Sequence, residues 1–499
     1  MKDFELGADP SLDDLSDIAQ GRRKVRFGPS ARARVSRAKK SLDKAASGSA
    51  AVYGVNTGFG DLASTSIPKK SIRDLQRNLV LSHAAGVGEP LGEAQSRAIV
   101  FLRANELARG FSGCRPLLIE TLLKMVNRGV IPVIPSRGSV GASGDLAPQA
   151  HAALPVIGAG RARYRGKTLS GSRAMAAAGI KPLDLDAKEG LSLINGTQAM
   201  QSVGGLSLVR AYRLLDAANL AGAMSLEAIQ GTPVPFDARI SKVKPHSGQV
   251  RVAAKLRELL RKSEIRDAHR EDDDRVQDPY SLRCIPQVHG AVADLLEFSK
   301  KTVETEMTSV TDNPLLFGEE MLSGGNFHGQ ALSFAYDGAS MALTALSGIS
   351  ERRIFQVISK GGPGLPAFLA KNPGLESGFM IPQVTAAALA SENKTLAHPA
   401  SADSIPTSAN KEDFVSMGMW SALKMDRIVE NCAYVVAIEL LAAAQGLEYH
   451  RPLKPGLGVG QGYARVRAKA SKTLRDEIFS EKIETLQCAI LDGFFGGIR

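Results

Sequence analysis

Four long windows of the chain contain no proline: residues 183–232, 287–313, 315–362 and 407–451. Proline removes a backbone donor and clashes with the preceding helical turn, so windows of this length are where long helices can run unbroken. Their composition agrees. The stretch 415–449 is rich in Ala, Leu, Met and Glu, and Met425, Ile428, Cys432, Val435 and Leu440 recur at mostly helical intervals. The spacing predicts one long helix there and comparable helices near 191–226, 288–304 and 330–359. No alternating strand series of similar length competes with them. The expected fold class is all-α, a bundle of long helices.

Glycine and proline concentrate elsewhere, at residues 53–60, 131–144, 360–373 and 452–462. These read as loops, and loops held on a rigid scaffold are where chemistry is usually placed. The run Gly458-Val459-Gly460-Gln461-Gly462 has the look of a dinucleotide loop, but no strand precedes it, so it reads as a turn. A chain of 499 residues could hold about three domains by length alone. Helices of this length belong to fewer, larger pieces, and two are expected: a loop-rich N-terminal domain over 1–195 and a long-helix domain over 196–499.

The formal charge is +11, with basic clusters at residues 22–26 and 32–40. They lack interleaved aromatics and any nucleic-acid module, so a solvated basic face is expected rather than a nucleic-acid partner. Cys114, Cys284, Cys432 and Cys488 show no CxxC spacing, which argues against a disulfide framework or zinc site and fits a reducing cytoplasm. The opening residues, MKDFELGADPSLDDL, have no basic region followed by an apolar core, and Glu439 interrupts the apolar run 433–444. Neither a secretion signal nor a membrane span is expected.

The segment 138–151, GSVGASGDLAPQAH, carries the most chemical information and admits three readings. The plainest is a Gly/Ser turn entering a helix, with Asp145 near its cap. A nucleophilic serine is the second, but neither Ser139 nor Ser143 satisfies the G-x-S-x-G elbow. The third is backbone condensation, in which the Gly144 nitrogen attacks the Ala142 carbonyl carbon and loss of two waters leaves a methylidene at Ser143. Gly144 has no Cβ to hinder the bend, Ala142 exposes a small carbonyl, and Ser143 supplies the hydroxyl that leaves.

With this segment in view, the chain resembles the aromatic amino acid lyase family through motifs spread over nearly its whole length. They are YGVNTGFG at 53–60, NLVLSHAAGVGEP at 78–90, GLSLINGTQ at 190–198, VQDPYSLRC at 276–284, SVTDNP at 309–314, GGNFH at 324–328 and FMIPQVTAAALASENKTLAHPAS at 379–401. The resemblance implies a helical bundle of the fumarase/aspartase-like lyase type. It implies a self-made 4-methylidene-imidazol-5-one (MIO) from Ala142, Ser143 and Gly144, with no external cofactor and no metal. By the same resemblance Tyr53 is the base for the β-proton, and Asn195, Gln277 and Tyr280 hydrogen-bond the electrophile and the substrate. Arg283 holds the substrate carboxylate, a task suited to a planar guanidinium, and Phe327 and Met380 line the pocket. Taken singly, Arg283 would pass for a surface salt-bridge partner and Phe327 for a core residue.

The substrate implied is a small amino acid. His83 follows Ser82, the pair found in histidine-specific members, and an imidazole can exchange a hydrogen bond with an imidazole substrate. Glu412 supports histidine as well, because a phenyl ring would leave its carboxylate buried and unpaired. The chain departs from histidine-specific members at Lys411, Phe414, Ile285, His289 and the pair Gly329-Gln330, and Lys411 could pair with Glu412. The product expected is trans-urocanate. Rival readings are elimination from tyrosine or phenylalanine, an aminomutase that returns ammonia to the β-carbon, and a catalytically silent helical scaffold. His151, His246, His269, His398 and His450 form no metal-spaced cluster, and the acidic run 271–274 reads as a solvated loop. The family assembles its active sites from several subunits, which implies a homotetramer.

Overall fold

The proline-free windows form the longest helices, Gln198–Ala228, Ile285–Thr308, Gln330–Ile358 and Gly418–Glu448, in a computed structural model that describes residues 2–47, 67–271, 275–359 and 362–498. Met425, Ile428, Cys432, Val435 and Leu440 are all fully buried on the last of them, as their spacing requires. That helix is long and apolar enough to cross a membrane, yet 89% of its most apolar window is buried within the fold. Shorter helices follow local signals. Ser11 and Asp14 close a capping box on Leu12–Ala19. Pro116 opens Pro116–Arg128, and Gly129 ends it at φ 73°.

Two expectations are corrected in detail. Residues 458–462, read as a turn, lie inside the helix Leu457–Lys469. The helix read as starting near 191 is two helices, Glu189–Ile194 and Gln198–Ala228, with Asn195 extended between them and Gly196 at φ 130°. The Asn195-Gly196 pair is a local turn signal, and the break's partners come from distant segments.

Strands among the described residues are confined to four small sheets of two or three strands. Val87–Pro90 pairs antiparallel with Pro135–Arg137, which ties the chain beyond His83 to the chain entering residues 138–144. The three-stranded sheet joins Ile131–Pro132, Arg161–Tyr164 and Lys167–Ser170.

Contacts divide the chain into two compact units, neither continuous in sequence. The first comprises 1–206, 300–336 and 399–423, and the second 207–299, 337–398 and 424–499. The piece expected over 1–195 thus extends to 206 and takes in two later segments, because each of the four long helices contains a unit boundary. Reading composition along the chain cannot see such a division.

Several residues of the basic N-terminal clusters form ordinary ion pairs. Arg22 meets Asp17 at 2.9 Å, Arg26 meets Glu5 at 2.6 Å, Arg23 pairs with Asp14, and Arg32 with Glu120. Pairs this exposed, or partly buried as for Arg23, contribute little stability each.

Candidate active site

Residues 138–144 form a turn braced by its own polar groups. Ser139 Oγ accepts from the Gly141 N–H at 3.1 Å and donates to Asp145 Oδ1 at 2.9 Å. Asp145 is fully buried, and its other oxygen accepts the Met200 N–H at 2.8 Å, at the start of the long helix Gln198–Ala228. Burial raises the Asp145 carboxyl to about 6, against the hydrogen bonds that favour its charge.

Within the turn, Ser143 sits at φ 52° and Gly144 at φ 78°. A Cβ on Gly144 would lie 2.2 Å from the Gly196 carbonyl oxygen, so only glycine fits. The close approach is reciprocal: Asp145 N–H donates to the Gly196 carbonyl at 2.8 Å, and Gly196 N–H donates to the Ser143 carbonyl at 3.2 Å. With its amide oriented to satisfy both ends, Asn195 donates to the same Ser143 oxygen at 3.0 Å and accepts from the Asn313 N–H at 2.7 Å. Two donors therefore converge on one carbonyl oxygen.

The helix break that supplies both donors is held by a buried network. Arg103 Nη2 donates to the Asn195 carbonyl at 2.6 Å and also to Gln198 Oε1. Gln198 Nε2 donates to Thr311 Oγ1 at 3.0 Å and to Glu106, whose carboxylate accepts the Thr311 and Asp312 N–H groups at 3.0 and 2.9 Å. Sequence reasoning assigned no role to Arg103, Glu106 or Thr311. The quoted motifs GLSLINGTQ and SVTDNP supply Asn195, Gln198, Thr311 and Asp312 to the network, but only folding shows that they meet.

The turn opens on a cavity of about 640 Å³ lined by His83, Ala142, Ser143, Asn195, Phe327 and Glu412, with Leu79, Asn313, Phe414 and others. Ser143 Oγ donates to Glu412 Oε1 at 3.0 Å, across 269 residues of sequence. The other Glu412 oxygen accepts from Thr407 Oγ1 at 2.8 Å and Ser408 Oγ at 2.7 Å. The carboxylate is thus engaged by hydroxyls, not by Lys411. His83 Nδ1 faces the Leu79 carbonyl at 2.9 Å, so the proton sits there and Nε2 is left as an acceptor. Partial burial lowers the His83 pKa, opposed by the Leu79 bond and by Glu412, and the ring is neutral at physiological pH.

Of the residues singled out from sequence, six line this cavity, and Gly144 completes the turn beneath it. Gln277, Tyr280, Arg283 and Met380 belong to the second unit and are not among its lining residues. Tyr280 is 70% exposed, Arg283 lies over its ring at 4.4 Å, and Arg283 Nε is buried with no hydrogen-bond partner among the described residues. Tyr53 and its loop lie outside the described residues. No group of three or more metal-ligating side chains occurs among the described residues.

A sequence profile of the aromatic amino acid lyase family matches residues 11–468. The chain is 51% identical to a histidine ammonia-lyase of Koribacter versatilis (strain Ellin345), over 99% of this chain and 98% of that protein. Among solved structures it resembles the histidine ammonia-lyase of Trypanosoma cruzi, with a TM-score of 0.91 and 40% identity over 99% of this chain and 94% of that one. A tyrosine aminomutase of Streptomyces globisporus superposes with a TM-score of 0.94 and 36% identity, over 99% and 98% of the two chains.

Proposed function

The chain belongs to the aromatic amino acid lyase family, and from that premise we propose that it eliminates ammonia from L-histidine to leave trans-urocanate. The observation that carries the substrate is the carboxylate of Glu412 hydrogen-bonded to Ser143 in a cavity that His83 also lines. An imidazole N–H finds acceptors at Glu412 and at His83 Nε2. A phenyl ring would desolvate the carboxylate and return nothing, and such a mismatch costs about 1 to 3 kcal/mol or more for a charged group.

Residues 142–144 fit the condensation that makes the MIO group. Ser143 and Gly144 already hold left-handed φ, and no carbonyl among the described residues takes the Gly144 N–H, which leaves that nitrogen free to attack. Once formed, the MIO supplies an electrophilic carbon for the substrate's α-amine, turning a poor leaving group into a stabilised one. Asn195 and the Gly196 N–H stabilise negative charge that builds on the Ser143 oxygen, and they do so without reorganising. Tyr53 is assigned the β-proton, Arg283 the substrate carboxylate, Gln277 and Tyr280 further hydrogen bonds, and Phe327 and Met380 the pocket wall. Because four of these belong to the second unit with exposed or unpartnered groups, we assign them to sites shared among the copies of a homotetramer.

The test is ultraviolet monitoring of the purified protein with histidine, tyrosine and phenylalanine in parallel, together with its intact mass. Urocanate from histidine and a chain two waters lighter than its translated sequence are expected. Coumarate, cinnamate or a β-amino acid as the main product would overturn the substrate, and a full-mass active chain would overturn the electrophile.

A further inference from the structure

Behind the short helix Tyr280–Arg283 lies a charged cluster that the reaction as described does not use. Arg353, Glu439 and His289 are all fully buried. Arg353 donates to Glu439 through Nε at 2.5 Å and Nη2 at 2.9 Å, a two-bond pairing that fixes the guanidinium plane. Ser225 Oγ donates to the same carboxylate at 2.8 Å, and Ser350 also donates to it. The remaining edge of the guanidinium points elsewhere: Arg353 Nη1 donates to His289 Nε2 at 3.3 Å and to the Ser281 carbonyl at 3.4 Å.

His289 is built to accept. Its Nδ1 faces Asn219 Oδ1 at 2.9 Å and must carry the proton, which leaves Nε2 as a lone pair toward Arg353. Burial, and then the charge of Arg353, hold its pKa well below the ordinary value, so the ring stays neutral. Ser281, whose carbonyl takes the last bond, lies between Tyr280 and Arg283. A buried ion pair contributes little net stability compared with apolar residues of the same volume, so stability alone does not account for the cluster. What it does provide is a rigid donor at one backbone oxygen of the turn.

We infer that Arg353, oriented by Glu439 and His289, is a positioning residue that sets the Tyr280–Arg283 turn for the substrate carboxylate. The inference rests on the carboxylate role proposed for Arg283. It acts through backbone placement: His289 and Arg353 reach no substrate themselves, and their loss tilts the turn so that the Arg283 guanidinium no longer meets the carboxylate squarely.

The experiment compares L-histidine with L-histidinamide, which lacks the carboxylate, in the full-length enzyme and in four variants: His289→Leu, His289→Gln, Arg353→Lys and Arg283→Ala. A general structural defect would slow both substrates alike, whereas a misplaced Arg283 erodes the preference for the acid. For His289→Leu and Arg353→Lys, KM for histidine is expected to rise about tenfold and the acid-over-amide preference to fall by a similar factor, with kcat changed less. His289→Gln keeps an acceptor and a donor and is expected to restore the preference to within about twofold of the parent. If His289→Leu does not fold, Arg353→Lys and the Gln variant carry the comparison. An Arg283→Ala variant that keeps the parent's preference would sink the role of Arg283. A preference lost in Arg283→Ala but intact in both His289→Leu and Arg353→Lys would sink the positioning role alone.

Discussion

Asn195 and Glu412 face the same turn but do separable work. Asn195 donates to the Ser143 oxygen at 3.0 Å, where, on the proposed mechanism, charge develops only as the reaction proceeds. Asn195→Ala is therefore expected to lower kcat by about 10² to 10³ with little change in KM, as for the removal of one oxyanion donor. An equal loss confined to KM, measured by steady-state urocanate formation, would refute that role. Glu412 accepts from the Ser143 hydroxyl at 3.0 Å, and on the proposed reading it meets the substrate ring once that hydroxyl is lost. Glu412→Ala is expected to cut kcat/KM for histidine by about 10² or more while the purified chain still shows the loss of two waters. A full-mass Glu412→Ala chain would place the residue in making the electrophile rather than in reading the substrate. Both residues stood out in the sequence, Asn195 through the motif GLSLINGTQ and Glu412 through the pairing a carboxylate offers an imidazole. Arg103 and Glu106, which help hold Asn195 in place, lie in no quoted motif, and Thr311, though inside SVTDNP, had no assigned role: each is an ordinary polar residue until the fold brings it within reach of Gln198.

Elements show the same division between what sequence carries and what folding adds. The four long helices were readable because proline-free windows and apolar periodicity are local properties, and the ends of Gln330–Ile358 fall within one residue of the reading. The break at Asn195 has a local cue in the Asn195-Gly196 pair, but Leu191 to Gln198 has no proline, so its spacing predicts a helix through it; the interruption is stabilised by Arg103, Ser143 and Asn313 from elsewhere in the chain. A second helix end shows tertiary control through a charge. Glu227, 3% exposed near the end of Gln198–Ala228, accepts the Gly456 N–H at 3.0 and 3.1 Å, at the cap of Leu457–Lys469. Burial, opposed by Ser263 and Gly456, raises its carboxyl to about 7 from 4.5. A group whose folded pKa lies above its unfolded value stabilises fully below the unfolded pKa, and that contribution is lost as pH rises through the folded one. The shift corresponds to about 3 kcal/mol, lost between about pH 4.5 and 7. Glu227→Gln has no proton to lose, so its melting temperature is expected to gain on the parent's as pH rises from about 5 to 8. A difference that stays flat with pH, in thermal melts across that range, would rule the account out.

At the scale of the whole molecule, what one chain leaves exposed has to be explained. On the helix Gln330–Ile358, Phe334, Met341 and Phe355 are 55%, 50% and 43% exposed. With Gly348 they recur every seven residues, and a Cβ added at Gly348 would meet open space. A seven-residue apolar stripe is the seam along which long helices pack on partners, and burying what remains exposed of each half-buried side chain is worth roughly half of the 1.5 to 3 kcal/mol for full burial, about 1 to 1.5 kcal/mol. The catalytic assignments lead to the same need. Ser143 belongs to the first unit and Arg283 to the second, and Arg283 Nε is buried without a partner among the described residues. If one site takes its electrophile from one copy and its carboxylate clamp from another, two inactive chains can repair each other. On the proposed assignments, Ser143→Ala cannot form the electrophile, and Arg283→Ala cannot hold the carboxylate. Coexpressed in equal amounts, each site draws the two residues independently, so roughly a quarter of the sites in random mixed tetramers are expected to hold both intact. Activity of that order above either parent alone, with a tetramer by sedimentation, is the expected result. If both residues of a site come from one chain, every site in the mixture lacks one of them and no activity returns, so coexpression without recovery would assign the clamp to the same copy as the electrophile.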